Sequence, residues 1–166
     1  MIILGIDPGT ATTGFGVIEI SGNEKKAVDF GVISTHKDLP MAQRLLELHK
    51  DLNELIAAVK PDWCAVELLF FARNVTTAIT VGQARGVIML AAAENNLSIA
   101  EYTPLQVKQA VTGYGQATKK QVQEMVKTIL GLKEIPKPDD AADALAIALC
   151  HSAAANNKFL DNNSLS

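Results

Sequence analysis

At 166 residues, 48% apolar and 20% charged, the chain reads as one ordinary soluble globular domain with enough length to bury a core. Eighteen acidic against fifteen basic side chains leave a formal net charge of −3, which sets it apart from strongly basic nucleic-acid binders. Cys64 and Cys150 lack CxxC spacing, so neither a zinc site nor a disulfide framework is indicated. No apolar stretch reaches bilayer length and no basic leader precedes Asp7, so a reducing, cytoplasmic setting is expected.

The charge is unevenly spread. Residues 1–67 hold 6 basic and 10 acidic side chains and residues 139–166 hold 1 and 4, whereas residues 68–138 hold 8 and 4. The middle of the chain can therefore carry a cationic surface, although a solvated mixed-charge face is the commoner meaning of such a bias.

Three strand-like runs come first, Ile2–Asp7, Phe15–Ile20 and Ala27–Thr35, with Ser21-Gly22-Asn23 as a turn signal between the last two. They read as an antiparallel meander. Pro40 opens a helix whose Met41, Leu45, Leu48, Leu52, Leu55 and Val59 form one apolar stripe, and Lys60-Pro61-Asp62 stops it. Trp63–Glu67 is a short strand ending in an acid, and Leu68 to Arg73 reads as an aromatic loop. The helix expected from about Thr76 to Asn95 is apolar on most sides, so it is deeply buried or presents one face to a second subunit. A strand at Ser98–Thr103 and a short helix over Leu105–Val111 follow, Pro104 suiting a first helical position. After the turn Thr112–Gln116 come helices at Lys119–Leu130 and Asp139–Ala154, joined by a Pro-rich linker. The domain is expected to span 1–155, leaving 156–166 as a polar, frayed tail. The order βββαβαβααα predicts an α/β mixed sheet covered by helices.

Within this frame the acids stand out. Asp7 and Glu67 each end an apolar strand, where open α/β sheets gather their ligands. Asp139, Asp140 and Asp143 begin a helix otherwise made of small and apolar residues, and 140 and 143, like 139 and 143, share a face. An Asp directly after Pro138 suits a helix cap, but Asp143, one turn inside and walled by Ala142, Ala144 and Leu145, does not. Carboxylates converging on one point repel unless cations neutralise them, and an all-oxygen set favours magnesium or manganese over zinc or copper. Two such ions bridged by a carboxylate suit phosphodiester hydrolysis without a protein nucleophile. Asp7 is the expected bridge, and Gly9 in the Pro8-Gly9-Thr10 turn after it has no side chain to obstruct a phosphodiester backbone. His36, His49 and His151 show no ligand spacing and read as surface or packing residues.

The stretches GIDPGTATTGFGVIE, AVELLFFARN, VGQARGV, EYTPLQVKQAVTGYG and KPDDAADALAIA, in this order, resemble the RuvC family of Holliday-junction resolvases from residue 3 to about residue 150. The resemblance implies a ribonuclease-H-like five-stranded sheet, three strands antiparallel and then two parallel. It implies metal-binding acids at Asp7, Glu67, Asp140 and Asp143, selecting Asp140 over Asp139, which is left as the cap. It further implies Phe70 as an aromatic wedge at the junction centre with basic Arg73 beside it, and Lys108 and Lys119 near the scissile phosphate. Arg85 is expected to anchor a helix or touch the DNA backbone rather than the reacting phosphate.

The same resemblance implies a homodimer with magnesium, two ions per subunit and manganese as substitute. Such a dimer would make paired nicks that leave 5′-phosphate and 3′-hydroxyl ends, in partnership with the RuvA–RuvB complex. Ala11, Leu68 and Gln116 depart from the commoner family pattern at peripheral DNA contacts and leave the four acids intact. The alternatives are a nuclease of the same fold acting on structured RNA, a kinase- or actin-like ATPase sharing the Asp-x-Gly-Thr turn, and a junction binder without catalysis. The ATPase needs two such domains to enclose a nucleotide, and the intact acids argue against the inactive binder.

Overall fold

The structure, a computed structural model, describes residues 1–9, 11–68 and 75–163, with side chains for 1–9, 11–68 and 76–155. The elements are β1 (Ile2–Asp7), β2 (Thr12–Ser21), β3 (Glu24–Ser34), α1 (Met41–Val59) and β4 (Trp63–Glu67), followed by α2 (Val75–Glu94), β5 (Ser98–Tyr102), α3 (Pro104–Thr112), α4 (Lys119–Ile129) and α5 (Asp139–Asn163). The sheet order is β3-β2-β1-β4-β5, antiparallel across β1–β2 and β2–β3 and parallel across β1–β4 and β4–β5. The expected mixed five-stranded sheet is therefore present.

Position in the sheet explains each strand's composition. Strand β1 lies between β2 and β4 with both faces covered, so Ile3, Leu4 and Ile6 are fully buried and the run is continuously apolar. Edge strand β3 mixes charged and apolar residues, and a bulge where its register shifts opposite Val17 and Ile18 interrupts the edge.

Two cores flank the sheet. On one face Leu48, Leu52 and Ile56 of α1 meet Ala84, Ile88, Ala91 and Ala92 of α2 over Leu4, Ile6, Cys64 and Val66. On the other, α3, α4 and α5 cover Ile3, Ile18 and Ala65. Burial of this scale drives the fold, at about 25 cal/mol per Å² of apolar surface.

Helix ends follow local chemistry. Lys60 closes α1 in the left-handed conformation with Pro61 behind it, the expected stop. Thr103 and Thr118 open α3 and α4 with full capping boxes, each reciprocated by a glutamine three residues on. One boundary differs from expectation. Helix α5 continues to Asn163, past the expected end at Ala154 and through most of the supposed tail. Polar composition hid it, because the continuation lacks the apolar stripe by which buried helices announce themselves. Among the described residues no helix is long and apolar enough to cross a membrane.

Candidate active site

Strand parity puts the first two acids on one face. In β1, Ile3 belongs to the core under α5 while Leu4 and Ile6 belong to the opposite one, so Asp7 follows Ile3 and Gly5 toward α5. In β4, Ala65 faces α5 while Cys64 and Val66 face away, which turns Glu67 the same way. Because Ile6 pairs with Val66 in parallel register, the two acids emerge side by side at the strand ends.

Glycines let α5 deliver the others. Cβ atoms built on Gly5 and Gly14 would overlap the backbone carbonyls of Ala144 and Asp140, and one on Gly16 would lie 2.7 Å from the Leu145 nitrogen. The helix thus rests directly on the sheet backbone at a glycine seat. Gly14 is the cross-strand partner of Asp7, so seating the Asp140 carbonyl on Gly14 brings the start of α5 beside Asp7. Asp143 follows one turn later, and the small residues of DDAADALA are what allow so close a contact.

One carboxylate oxygen each from Asp7, Asp140 and Asp143 lies within 4.8 Å of the others. Glu67 lies outside this tight trio but in the same cleft, a cavity of about 280 Å³ that Asp7, Asp143, Lys108, Lys119 and the walls Pro104, Val107 and Val122 also line. Lys119 Nζ approaches Asp143 at 2.9 Å and Asp139 at 3.4 Å. Asp139 is therefore exposed and paired with Lys119, apart from the trio and in a role beyond that of the expected cap.

The electrostatics are those of an under-neutralised site. Burial first, then repulsion from Glu67, Asp143 and Asp140, pushes the Asp7 carboxyl up to about 7, with Lys119 opposing. Glu67 is raised by burial and by Asp143, against the pull of Lys108 and Lys119. At Asp143 burial outweighs the Lys119 ion pair, so its carboxyl also stays above the ordinary range. Lys119 is held protonated above its usual value, chiefly by its hydrogen bond to Asp143. Three carboxylates, Asp7, Glu67 and Asp143, line this cleft with two ammonium groups, and Asp140 adds a fourth beside Asp7 and Asp143. At an effective dielectric near 20, each carboxylate pair at such a spacing repels by roughly 3 kcal/mol, which two lysines do not cancel. An all-oxygen set with surplus negative charge fits a hard divalent cation.

The sequence-derived residues divide cleanly. Asp7, Asp140 and Asp143 converge, and Glu67, Lys108 and Lys119 share their cleft. Phe70 and Arg73 lie outside the described residues. Arg85 of α2 is ion-paired with Glu101 of β5, an anchoring role as expected. His151 is buried against Trp63 with Tyr102 Oη 2.7 Å from Nδ1, and His49 meets Glu94 at 2.7 Å, both packing roles. A Cβ on Gly9 would overlap the Thr12 carbonyl, and the Gly9 carbonyl accepts a 2.7 Å hydrogen bond from Thr13 Oγ1. The cleft walls Pro104, Val107 and Val122 escaped sequence reasoning. The signal available for them was the pair of Thr-x-x-Gln boxes that position α3 and α4.

Comparison with known proteins agrees with this geometry. A family model described as crossover junction endodeoxyribonuclease RuvC matches residues 3–151. The crossover junction endodeoxyribonuclease RuvC of Desulforamulus reducens is 59% identical over 152 residues, covering 92% of this chain and 93% of its own. Thermus thermophilus RuvC matches with a TM-score of 0.89 at 39% identity, covering 95% of this chain and 97% of that one. The T. thermophilus protein in complex with Holliday junction substrate matches with a TM-score of 0.87 at 38% identity, over 94% and 96% of the two chains. The chain belongs to the RuvC family of crossover junction endodeoxyribonucleases.

Proposed function

We infer that this chain resolves Holliday junctions, nicking two strands of a four-way DNA junction by metal-dependent hydrolysis. The observation that carries the reading is the convergence of Asp7, Asp140 and Asp143 at a cleft that Asp7, Asp143, Lys108 and Lys119 line. Asp7, Asp140 and Asp143 would hold magnesium or manganese, with Glu67 completing a two-ion set. Bound there, such ions supply an activated water and neutralise charge on the phosphodiester. The protein's own groups bind and orient. Lys119, braced by Asp143, presents a fixed positive charge to the phosphate. Lys108, one wall away, draws the scissile strand toward Glu67. Val107 and Val122 limit the water around them. Phe70 serves as a wedge between bases at the junction centre, with Arg73 on the adjacent backbone.

Two copies act together, because a junction with two-fold symmetry calls for two symmetric sites. A stripe on α2 supports that dimer. Ile79, Gln83, Gly86 and Leu90 are exposed and recur at four- and three-residue spacing, and a Cβ at Gly82 or Gly86 would meet nothing within 4 Å among the described residues. Glycine inside a helix costs about 1 kcal/mol relative to alanine, and here the fold itself does not require it. The enzyme works in the cytoplasm with the RuvA–RuvB branch-migration complex, and leaves ligatable 5′-phosphate and 3′-hydroxyl ends.

The test is incubation with a synthetic mobile four-way junction, with linear duplex as control, in magnesium and then in calcium. Magnesium should give symmetric nicks in the junction alone, and calcium should give binding without cutting. Equal digestion of linear duplex would overturn the reading.

A further inference from the structure

A second and larger cavity, of about 550 Å³, lies on the other side of the α4 N-terminus from the cleft. The same helical turn walls both. Lys119 and Val122 face the cleft, while Thr118, Lys120 and Gln121 face this groove, whose far side is the turn carrying Tyr114. The groove thus adjoins the cleft across one turn of α4, next to where a phosphate at Lys119 would sit.

Tyr114 is 59% exposed, yet its turn is braced on every side. Thr112 Oγ1 donates to the Lys108 carbonyl at 2.8 Å and accepts from the Tyr114 nitrogen at 3.1 Å, tying the turn to the helix that carries Lys108. Gln109 Nε2 donates to the Gly113 carbonyl at 2.9 Å, and the Ala117 nitrogen to the Tyr114 carbonyl at 3.1 Å. Gly113 takes φ +74, a left-handed conformation natural to glycine. Gly115 is pressed against Leu105, where a Cβ would come within 2.6 Å of the side chain, and Ala117 is buried. A hydrogen-bonded turn that buries Ala117 and holds an aromatic ring outward is built to present that ring. Met125, half exposed across the groove, adds a second apolar contact.

We propose that Tyr114 and the groove beside α4 form a stacking subsite for one unpaired nucleobase of the strand being cut. The occupant follows from adjacency to the cleft across one turn of α4 and from chemistry. A strand drawn into the site at an open junction carries unstacked bases, every base offers a π-face, and stacking on an aromatic side chain is worth about 1–3 kcal/mol. Lys120 lines the groove at the α4 N-terminus, with Glu124 one turn further along. The subsite rests on the resolvase reading and deepens it by naming how the strand is held beyond its phosphate.

The experiment uses the full chain in magnesium with two junctions, one unmodified and one carrying abasic nucleotides flanking the scissile phosphate. Tyr114→Ala should lower cleavage of the unmodified junction about tenfold, mainly through KM, and Tyr114→Phe should recover most of that loss. The abasic junction should slow the unsubstituted protein to a similar degree and slow Tyr114→Ala no further. As a binding readout, 2-aminopurine next to the scissile phosphate should be quenched in calcium by the unsubstituted protein and less by Tyr114→Ala. Additive losses, or full activity in Tyr114→Ala, would sink the subsite while leaving the resolvase reading intact. No junction cleavage by the unsubstituted protein would sink both.

Discussion

Asp7 concentrates the chemistry of the site at the scale of one residue. Its carboxyl, ordinarily near 3.8, is pushed up to about 7 by burial and three neighbouring acids, so the folded chain holds a proton there that the unfolded chain releases. The sign follows. Through this group the metal-free protein loses stability as pH rises from about 4 to about 7, because ionisation is easier when unfolded. Asp7→Asn removes the cost. In chelator at pH 8 its melting temperature should exceed that of the parent by roughly 2–6 °C, and the gap should close toward pH 4. Calorimetry across that range checks it. Magnesium should bind more weakly below pH 7, where protons compete for the same oxygens.

Asp143 carries the complementary prediction. Asp143→Asn keeps the shape of the side chain but removes one of the three clustered charges and weakens the brace on Lys119. Partners of metal ligands alone cost 10–100-fold, so cutting should fall by more than about 100-fold. Junction binding, measured by gel shift in calcium, should stay within a few-fold. Normal cleavage would remove Asp143 from the site. Lys119 also explains a local oddity. Two lysines begin α4, where the helix dipole disfavours cations, and the capping box and the acids facing Lys119 offset that cost.

At the scale of elements the decisive contact is α5 on its glycine seat. No acid on α5 reaches Asp7 unless the helix backbone touches the sheet, and a single methyl at Gly14 would collide with the Asp140 carbonyl. Gly14→Ala should therefore destabilise the protein by about 1–3 kcal/mol in urea unfolding. Metal affinity should fall further than that loss suggests, because the α5 acids swing away from Asp7. Undiminished metal affinity in a folded Gly14→Ala protein would show that the seat does not position the site. The glycines were plain in TTGFGVIE, but what they face was not. A glycine in a strand marks a close approach without naming the partner, which here is more than a hundred residues away in sequence.

For the whole molecule, one five-stranded sheet carries a helical layer on each face. The remaining question of assembly falls on the exposed α2 stripe. Leu90→Glu places a charge at its C-terminal end and should convert a dimer to monomers in sedimentation velocity. Junction nicks should then become unpaired, with the rate on one strand largely kept. A variant that stays dimeric would move the interface elsewhere.

By itself the sequence determined the elements and the identity of the acids. Apolar periodicity marks β1 and α1, turn residues mark their ends, and carboxylates closing apolar strands are too costly to desolvate without a use. Strand order, which core each strand face joins, and the meeting of Asp7 with Asp140 and Asp143 belonged to the tertiary structure. So did the pairing of Asp139 with Lys119, the hydrogen bond from Thr13 to Gly9 and the length of α5. These depend on contacts between distant segments, which local pattern does not encode. A strand reveals which residues alternate but not what lies across from them, and a catalytic site is made of what lies across.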